Sequence, residues 1–278
     1  MIQSDSRLRV VFTDLRRAVD DVILKHQVTP DELSAVLDWL QETADAGELR
    51  RLRVLFFKTV LRATEGADYA HPEKDGASNW DMGGSAYRPG APVLHSPAVL
   101  PMRPDEPGEP LFVSGAVRTT AGDPVPGAVL EVWQIGADDI YSGIDTSDFL
   151  PLNIPNDSSG IPEWNLRATI VADGDGHYEF RTVMPGTETL GLDPDGPLGA
   201  LTESLRLPGL RPLHIHSIVT ADGMLPLTTQ IYFDGDPLVE AAIEGPVPAA
   251  SVETTTVHDD SAGRPYRTLT HDYVLRTR

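Results

Sequence analysis

The stretch Leu213–Phe233, LHIHSIVTADGMLPLTTQIYF, decides the fold of this chain. Its two halves are rich in β-branched and aromatic residues, and the turn residues Asp222-Gly223 lie between them. Such halves on either side of a glycine turn are typical of a β-hairpin. Because side chains alternate along a strand, His214 and His216 lie on one face of the first half. The stretch therefore predicts paired strands that present two imidazoles, close enough together to meet one metal ion.

Other segments of the same character predict a mainly β fold. The predicted strands are residues 111–118, 128–135, 167–172, 177–184, 213–220 and 227–233. The turn Asp173-Gly174-Asp175-Gly176 joins two of them as a hairpin. Short strands joined by such turns favour an antiparallel β-sandwich.

The N-terminal residues predict helices instead of strands. Apolar residues recur there at three- and four-residue steps, which is the period of a helix: Leu8, Val11, Phe12, Leu15, Val19, Val22 and Ile23. Thr29-Pro30-Asp31-Glu32 is typical of the start of a second helix, because Thr29 and Glu32 can form a capping box. A third helix is predicted over residues 49–64. The chain therefore divides into a helical region (1–66), a connecting loop rich in Pro and Gly (67–108) and a β domain (109–278).

Composition excludes several classes of site and partner. Acidic residues outnumber basic ones by 42 to 22, which gives a formal net charge of −20. That charge repels phosphate backbones and anionic lipids, so we expect neither nucleic acid nor membrane as a partner. The chain has no cysteine, so any metal must be held by nitrogen and oxygen ligands. The first residues, MIQSDSRLRV, lack the apolar core of a signal peptide, and a cytoplasmic location is expected.

A histidine pair in a strand does not by itself identify a metal site. Taken alone, His214 and His216 are also compatible with a non-enzymatic β-sandwich binding module, or with a zinc hydrolase. A metal ion needs further ligands, and in a chain without cysteine these come from Asp, Glu or Tyr. Tyr141 and Tyr178 are the tyrosine candidates, although the ring of each also suits a core position.

Four separated segments resemble, in the same order, the motifs of intradiol ring-cleavage dioxygenases. They are residues 127–134 leading to Asp139-Ile140-Tyr141-Ser142, residues 165–167 with 173–178 and 180–181, residues 211–216, and residues 228–231. Within this family the chain is most similar to the catechol and hydroxyquinol 1,2-dioxygenases. Residues 87–92 and 196–200 resemble the hydroxyquinol group in particular.

The resemblance implies an iron(III) centre, one ion per chain, bound by Tyr141, Tyr178, His214 and His216. It further implies that Tyr178 is released during the reaction to accept a substrate proton. Arg211 and Gln230 would complete the catalytic group. The implied reaction cleaves an aromatic diol between its two hydroxylated carbons with O2 and gives a cis,cis-muconate-type diacid.

The resemblance also implies a substrate pocket and an assembly. The pocket residues carried over are Leu61, Ala86, Tyr87, Pro110 and Arg211, and residues 67–108 would contribute the pocket loop. Helical members usually have Gly-Pro-Phe where this chain has Gly84-Ser85-Ala86, so we expect room for a substituted ring or hydroxyquinol. The N-terminal helices would form a homodimer, since an apolar stripe on short helices needs a partner surface.

Overall fold

The computed structural model describes residues 5–49, 51–52, 64–84, 86–149, 154–241 and 247–278. The chain forms two compact units, Met1–Glu48 and Leu49–Arg278. The first unit is helical and the second consists mostly of β-strands. Within the described ranges, no helix has the length and apolar character needed to cross a membrane.

Two helices, α1 (Asp5–His26) and α2 (Pro30–Asp45), make up the described part of the first unit. The Thr29 hydroxyl accepts a hydrogen bond from the backbone N–H of Glu32, and the Glu32 carboxylate accepts one from the backbone N–H of Thr29. This reciprocal pair is the capping box that the sequence predicts, and it confirms the start of α2. The predicted third helix, residues 49–64, lies largely outside the described residues.

The described part of the second unit contains fourteen strands and two short α-helices. The strands are β1 (Val93–His95), β2 (Ala98–Val99), β3 (Pro110–Thr119), β4 (Val129–Trp133), β5 (Arg167–Val171), β6 (His177–Val183), β7 (Glu188–Thr189), β8 (Leu210–Arg211), β9 (His214–Thr220), β10 (Leu227–Phe233), β11 (Val252–Glu253), β12 (Thr256–Asp259), β13 (Pro265–Thr270) and β14 (Tyr273–Leu275). The helices are α3 (Pro197–Ser204) and α4 (Leu238–Ala241). All six strands predicted from the sequence are present.

The strands form two six-stranded sheets and one separate pair. The first sheet has the order β1-β5-β4-β9-β10-β11, and the second has the order β12-β13-β3-β6-β2 with β14 also paired to β3. One hydrophobic core joins the two sheets; it includes Leu130, Ile170, Ile215 and Val219 from the first and Leu111, Val113, Phe180 and Leu269 from the second. The pair β7–β8 stands apart from both sheets.

The sequence missed several short strands, most of them paired in parallel. The predicted connecting loop 67–108 contains β1 and β2, which pair in parallel with β5 and β6. Strands β13 and β14 also run parallel to β3. Most of the missed strands have only two or three residues, which is too short to show an alternating pattern. The predicted antiparallel pairing therefore holds for β5-β4-β9-β10 and for β3-β6, whereas β3 also pairs in parallel with β13 and β14.

Strand β9 determines the face on which the site lies. Ile215 belongs to the shared core, and the hydroxyl of Ser217 meets that of buried Tyr273 at 2.6 Å. Because residues alternate along the strand, His214 and His216 point to the opposite, outer face of the first sheet.

Candidate metal centre

The outer face of β9 is lined on both sides by neighbouring strands. On β10, Gln230 pairs with His216 and Tyr232 pairs with His214. On β4, Trp133 pairs with His216, and the indole stacks on the imidazole with centroids 4.7 Å apart and an interplanar angle of 3°. The sheet ladder and this stacking therefore hold both imidazoles on a rigid surface.

A carboxylate and a guanidinium reach this surface from the separate pair β7–β8. Glu188 and Arg211 lie directly opposite each other in that pair. Arg211 Nη1 donates to Glu188 Oε2 at 2.5 Å, and Arg211 Nη2 donates to Gln230 Oε1 at 2.9 Å. The two charged side chains are 6% and 10% exposed, so they are paired in a desolvated environment. This ion pair anchors Glu188 beside the imidazoles.

Tyr141 approaches from the loop that follows β4. The side-chain amide of Asn156 accepts a hydrogen bond from the Tyr141 N–H at 2.7 Å and donates to the Tyr141 carbonyl at 2.9 Å. This two-point contact fixes the backbone at the tyrosine, whose side chain is buried.

Four donor atoms converge on the outer face of β9. Tyr141 Oη lies 3.2 Å from His216 Nε2 and 3.3 Å from Glu188 Oε2. Glu188 Oε2 lies 3.2 Å from His214 Nε2, and the two imidazole Nε2 atoms are 3.0 Å apart. Atoms bound to one ion at about 2.1 Å lie about 3.0–3.4 Å apart. The spacing of the four donors therefore fits a single metal ion.

The two imidazoles are prepared to act as neutral ligands. His214 Nδ1 donates to the carbonyl of Pro212 at 2.6 Å, which assigns the proton to Nδ1 and leaves a lone pair on Nε2. Burial, together with the nearby positive charge of Arg211, lowers the pKa of His216 well below its usual value. His216 is therefore unprotonated at neutral pH and can accept a cation.

The two oxygen donors differ in charge. Burial and the neighbouring Glu188 carboxylate raise the pKa of Tyr141 well above its usual value, although Arg211 and Arg167 act in the opposite direction. Burial alone would raise the pKa of Glu188, but the guanidinium of Arg211 outweighs it and lowers that pKa. Glu188 is thus an anion in the protein as it stands, whereas Tyr141 needs a cation beside it to become a phenolate.

The structure does not bring Tyr178 to these donors, which corrects the prediction that it is a metal ligand. Tyr178 lies on β6 of the second sheet and points into the shared core. Its hydroxyl donates to the carbonyl of His271 at 2.6 Å, and its ring lies against Tyr273. Tyr273 in turn meets Ser217 on the inner face of β9. Tyr178 therefore approaches β9 from the face opposite to that of His214 and His216, and the structure does not bring it to the place where the predicted proton transfer would occur.

The predicted pocket residues are distributed over different places. Ala86 is 1% exposed and packs in a cluster with Trp133 and Tyr141, close to the donors. The Tyr87 hydroxyl donates to Glu131 at 2.8 Å. Pro110 begins β3 in the second sheet and lines a groove on its outer face, so the structure does not bring it to the donors. Leu61 lies outside the described residues.

Two charged residues of the site were missed from the sequence. Glu188 lies in a two-residue strand that has no period to reveal it. Arg167 is buried and donates to the carbonyls of Ala86 and Ser142 at 2.7 and 3.1 Å, with its guanidinium 5.7 Å from the ring centroid of Tyr141. Burial lowers the pKa of Arg167 to about 10. The one indication of Arg167 in the sequence was its position in the segment 165–167, which resembles a family motif.

Comparison with known proteins identifies the family. A family model described as Dioxygenase matches residues 82–277. The chlorocatechol 1,2-dioxygenase of Rhodococcus opacus is 35% identical over 235 residues, which cover 83% of this chain and 81% of that protein. The chain belongs to the intradiol dioxygenase family. The hydroxyquinol 1,2-dioxygenase of a Rhizobium strain is a further member, 26% identical over 98% of this chain and 90% of its own.

A solved structure extends the likeness to the whole fold of this intradiol dioxygenase. The crystal structure of chlorocatechol 1,2-dioxygenase from Pseudomonas putida superposes with a TM-score of 0.76 at 30% identity and covers 98% of this chain and all of that one. Enzymes of this class are oxidoreductases that incorporate both atoms of O2 into an aromatic diol. The family assignment therefore favours an enzyme over the binding module and the zinc hydrolase.

The donor set of this intradiol dioxygenase suits a metal ion of intermediate hardness. Imidazole nitrogens together with carboxylate and phenol oxygens are ligands that iron accepts. The set departs from the predicted pair of phenolates, because Tyr141 is joined by a carboxylate where Tyr178 was expected. The residues present therefore fit iron, with a different balance of oxygen ligands.

Proposed function

We propose that this protein uses one iron(III) ion per chain to cleave a catechol-type diol between its two hydroxylated carbons. The diol and O2 combine into a cis,cis-muconate-type diacid that retains every atom of both reactants. The observation that carries this proposal is the buried convergence of Tyr141, His214 and His216 beside the guanidinium of Arg211. Identity to chlorocatechol and catechol enzymes, at 35% and 33%, is higher than the 26% to the hydroxyquinol enzyme, which supports a catechol over hydroxyquinol as the substrate. The small side chain of Ala86 beside Tyr141 supports a substituted catechol over catechol.

Tyr141, His214 and His216 hold the iron in this proposal. Iron held there would supply Lewis-acid chemistry, which would favour the anionic form of the diol and make its ring reactive toward O2. Arg211 places a fixed positive charge beside the donors, where it stabilises the anionic diol.

Gln230 acts as a positioning residue for Arg211. Its Oε1 accepts from Arg211 Nη2 at 2.9 Å and from the Tyr232 hydroxyl at 2.7 Å. Its Nε2 donates to the carbonyl of Met82 at 2.6 Å. Because both ends of the amide are engaged, its orientation is set, and Arg211 is held toward the donors.

Ala86 is the residue through which we expect ring substituents to be accommodated. Its methyl group packs in the cluster that contains Trp133 and Tyr141, so a larger side chain there would occupy space next to the donors. We expect Ala86→Phe to lower kcat/KM for substituted catechols more than for catechol, and Ala86→Val to do so to a smaller extent. Equal losses for all ring types in both variants would contradict a role for Ala86 in substrate choice.

The same proposal covers architecture and assembly. The two sheets around one core are consistent with the β-sandwich catalytic domain expected from the sequence.

The exposed apolar residues of α1, which include Leu8, Phe12 and Leu15, support a homodimer through the N-terminal helices. Sedimentation should give a dimer at micromolar concentration, and Phe12→Glu with Leu15→Glu should give a monomer. A monomeric wild-type protein would refute this part.

A substrate panel tests the activity directly. Iron-loaded protein is mixed in air with catechol, chlorocatechols, methylcatechols and hydroxyquinol, while O2 consumption and product absorbance are followed. We expect one O2 per diol and a muconate-type product, with the highest kcat/KM for a substituted catechol. Zinc-loaded protein is the control and should consume no O2. A yellow semialdehyde, which forms when the ring opens beside the diol, or no O2 consumption with any diol, would refute the proposal.

A further inference from the structure

Glu188 lies where the family resemblance predicts a second phenolate. We propose that Glu188 is the fourth protein ligand of the iron, so that the centre has one phenolate, one carboxylate and two imidazoles. This inference rests on the proposed function for the identity of the metal. It changes the chemical nature of the site, because a carboxylate gives no visible charge-transfer absorption with iron(III) and a phenolate does.

The position of the carboxylate supports ligation. Its Oε2 lies 3.2 Å from His214 Nε2 and 3.3 Å from Tyr141 Oη. Glu188, His214 and His216 also form a buried group whose potential ligand atoms all lie within 4.8 Å of one another. A carboxylate oxygen and imidazole nitrogens are donors that iron accepts, and the phenol oxygen of Tyr141 adds the hard anionic ligand that favours iron(III).

The second phenolate predicted from the sequence has no route to the site. The Tyr178 hydroxyl is engaged by the His271 carbonyl, and strand β9 separates it from the imidazoles. The hydroxyl of Tyr232, which does lie on the outer face, is within hydrogen-bond distance of Asp81 and Gln230, at 2.9 and 2.7 Å. Tyr141 therefore supplies the phenolate and Glu188 supplies the second anionic oxygen.

Arg211 sets the charge balance of this centre. Its guanidinium lies between Glu188 and Gln230, so the carboxylate shares its charge between Arg211 and the ion. A phenolate in the place of Glu188 would lack the second carboxylate oxygen with which Glu188 can contact Arg211 and the ion together. Glu188 would accordingly be a weaker donor to a bound ion than an unpaired carboxylate.

Counting the phenolates tests the inference. Protein loaded with inorganic iron is examined by visible absorption, electron paramagnetic resonance and metal analysis for the wild type and for Tyr141→Phe, Tyr178→Phe and Glu188→Gln. We expect the visible band in the wild type, its retention in Tyr178→Phe and its complete loss in Tyr141→Phe. We expect Glu188→Gln to lower iron affinity at least about tenfold and to shift the resonance signal.

A gain-of-ligand variant keeps the test decisive if Glu188→Gln is unstable. Glu188→Tyr adds a phenolate, so its iron form should show a stronger visible band than the wild type. A band that survives Tyr141→Phe, or iron affinity and resonance unchanged in Glu188→Gln, would overturn the inference. A colourless iron(II) centre would also overturn it.

The inference and the proposed function can fail separately. A one-phenolate iron centre that opens no diol would sustain the role of Glu188 and refute the activity. Ring cleavage with iron binding unaffected in Glu188→Gln would sustain the activity and refute the role of Glu188.

Discussion

The buried pair Arg211–Glu188 should dominate the stability of the metal-free site. Arg211→Met keeps the apolar stem of the side chain and removes the charge, which leaves the Glu188 carboxylate buried without its cation. The nearest atoms of the pair are 2.5 Å apart and the side chains are 6% and 10% exposed, so water screens the pair little. Charges centred about 4 Å apart attract by about 4 kcal/mol at an effective dielectric constant of about 20. We therefore expect Arg211→Met to lower the free energy of unfolding by about 3–5 kcal/mol.

A double-mutant cycle measures the coupling within this pair. Urea unfolding in the presence of a chelator, followed by near-ultraviolet circular dichroism, would compare Arg211→Met, Glu188→Gln and the double variant. The double variant should lose at least about 2 kcal/mol less than the sum of the single losses, because it leaves no charge unpaired. Arg264→Met is the matched control, since Arg264 is 80% exposed in its ion pair with Asp260, and it should unfold as the wild type does. Additive single losses would refute the reasoning.

Two further predictions concern regions away from the metal centre. A Cβ at Gly115 would lie 1.8 Å from the carbonyl oxygen of His271, so Gly115→Ala should lower the free energy of unfolding by about 3 kcal/mol. Gly174→Ala is the control, because a Cβ there meets open space, and it should lower that free energy little. Similar melting temperatures of the two variants would contradict the close packing at Gly115. Hydrogen bonds from the backbone and side chain of Thr29 lower the pKa of Glu32. These bonds therefore stabilise α2 fully above the ordinary pKa of glutamate, and the stabilisation is lost as the pH falls through the lowered pKa of Glu32. Far-ultraviolet circular dichroism measured against pH should show that Glu32→Gln lacks the acid-induced loss of helix signal that Glu32 causes in the wild type. Identical pH profiles for the variant and the wild type would count against the capping box.

Regular elements and local signals were the features that the sequence predicted well. The six central strands follow from β-branched residues and Asp-Gly turns, and α2 begins where the capping residues place it. His214 and His216 could be placed on one face because strand alternation is a local property. Arg211 and Gln230 lie beside them.

The predictions that the structure does not support depend on contacts between residues far apart in the chain. The strand that contains Tyr178 was predicted correctly, but no local pattern indicates which sheet it joins or which side of β9 its ring meets. Glu188 lies in a two-residue strand and pairs with a residue 23 positions away, so neither a periodic pattern nor a motif spacing identifies it. A tyrosine at a motif position was therefore taken as a ligand, and a glutamate without a motif was overlooked.

The independence of β7–β8 has a consequence for how such an enzyme can diversify. The histidines are mounted on a broad, well-braced sheet, whereas Glu188 is carried by a small ribbon whose two strands are joined through the excursion that contains α3. Insertions, deletions or substitutions in residues 190–209 would move Glu188 most directly, whereas β4 and β10 keep the strand positions of His214 and His216. Evolution, or loop grafting in the laboratory, can therefore change the proposed carboxylate ligand more readily than the two histidines.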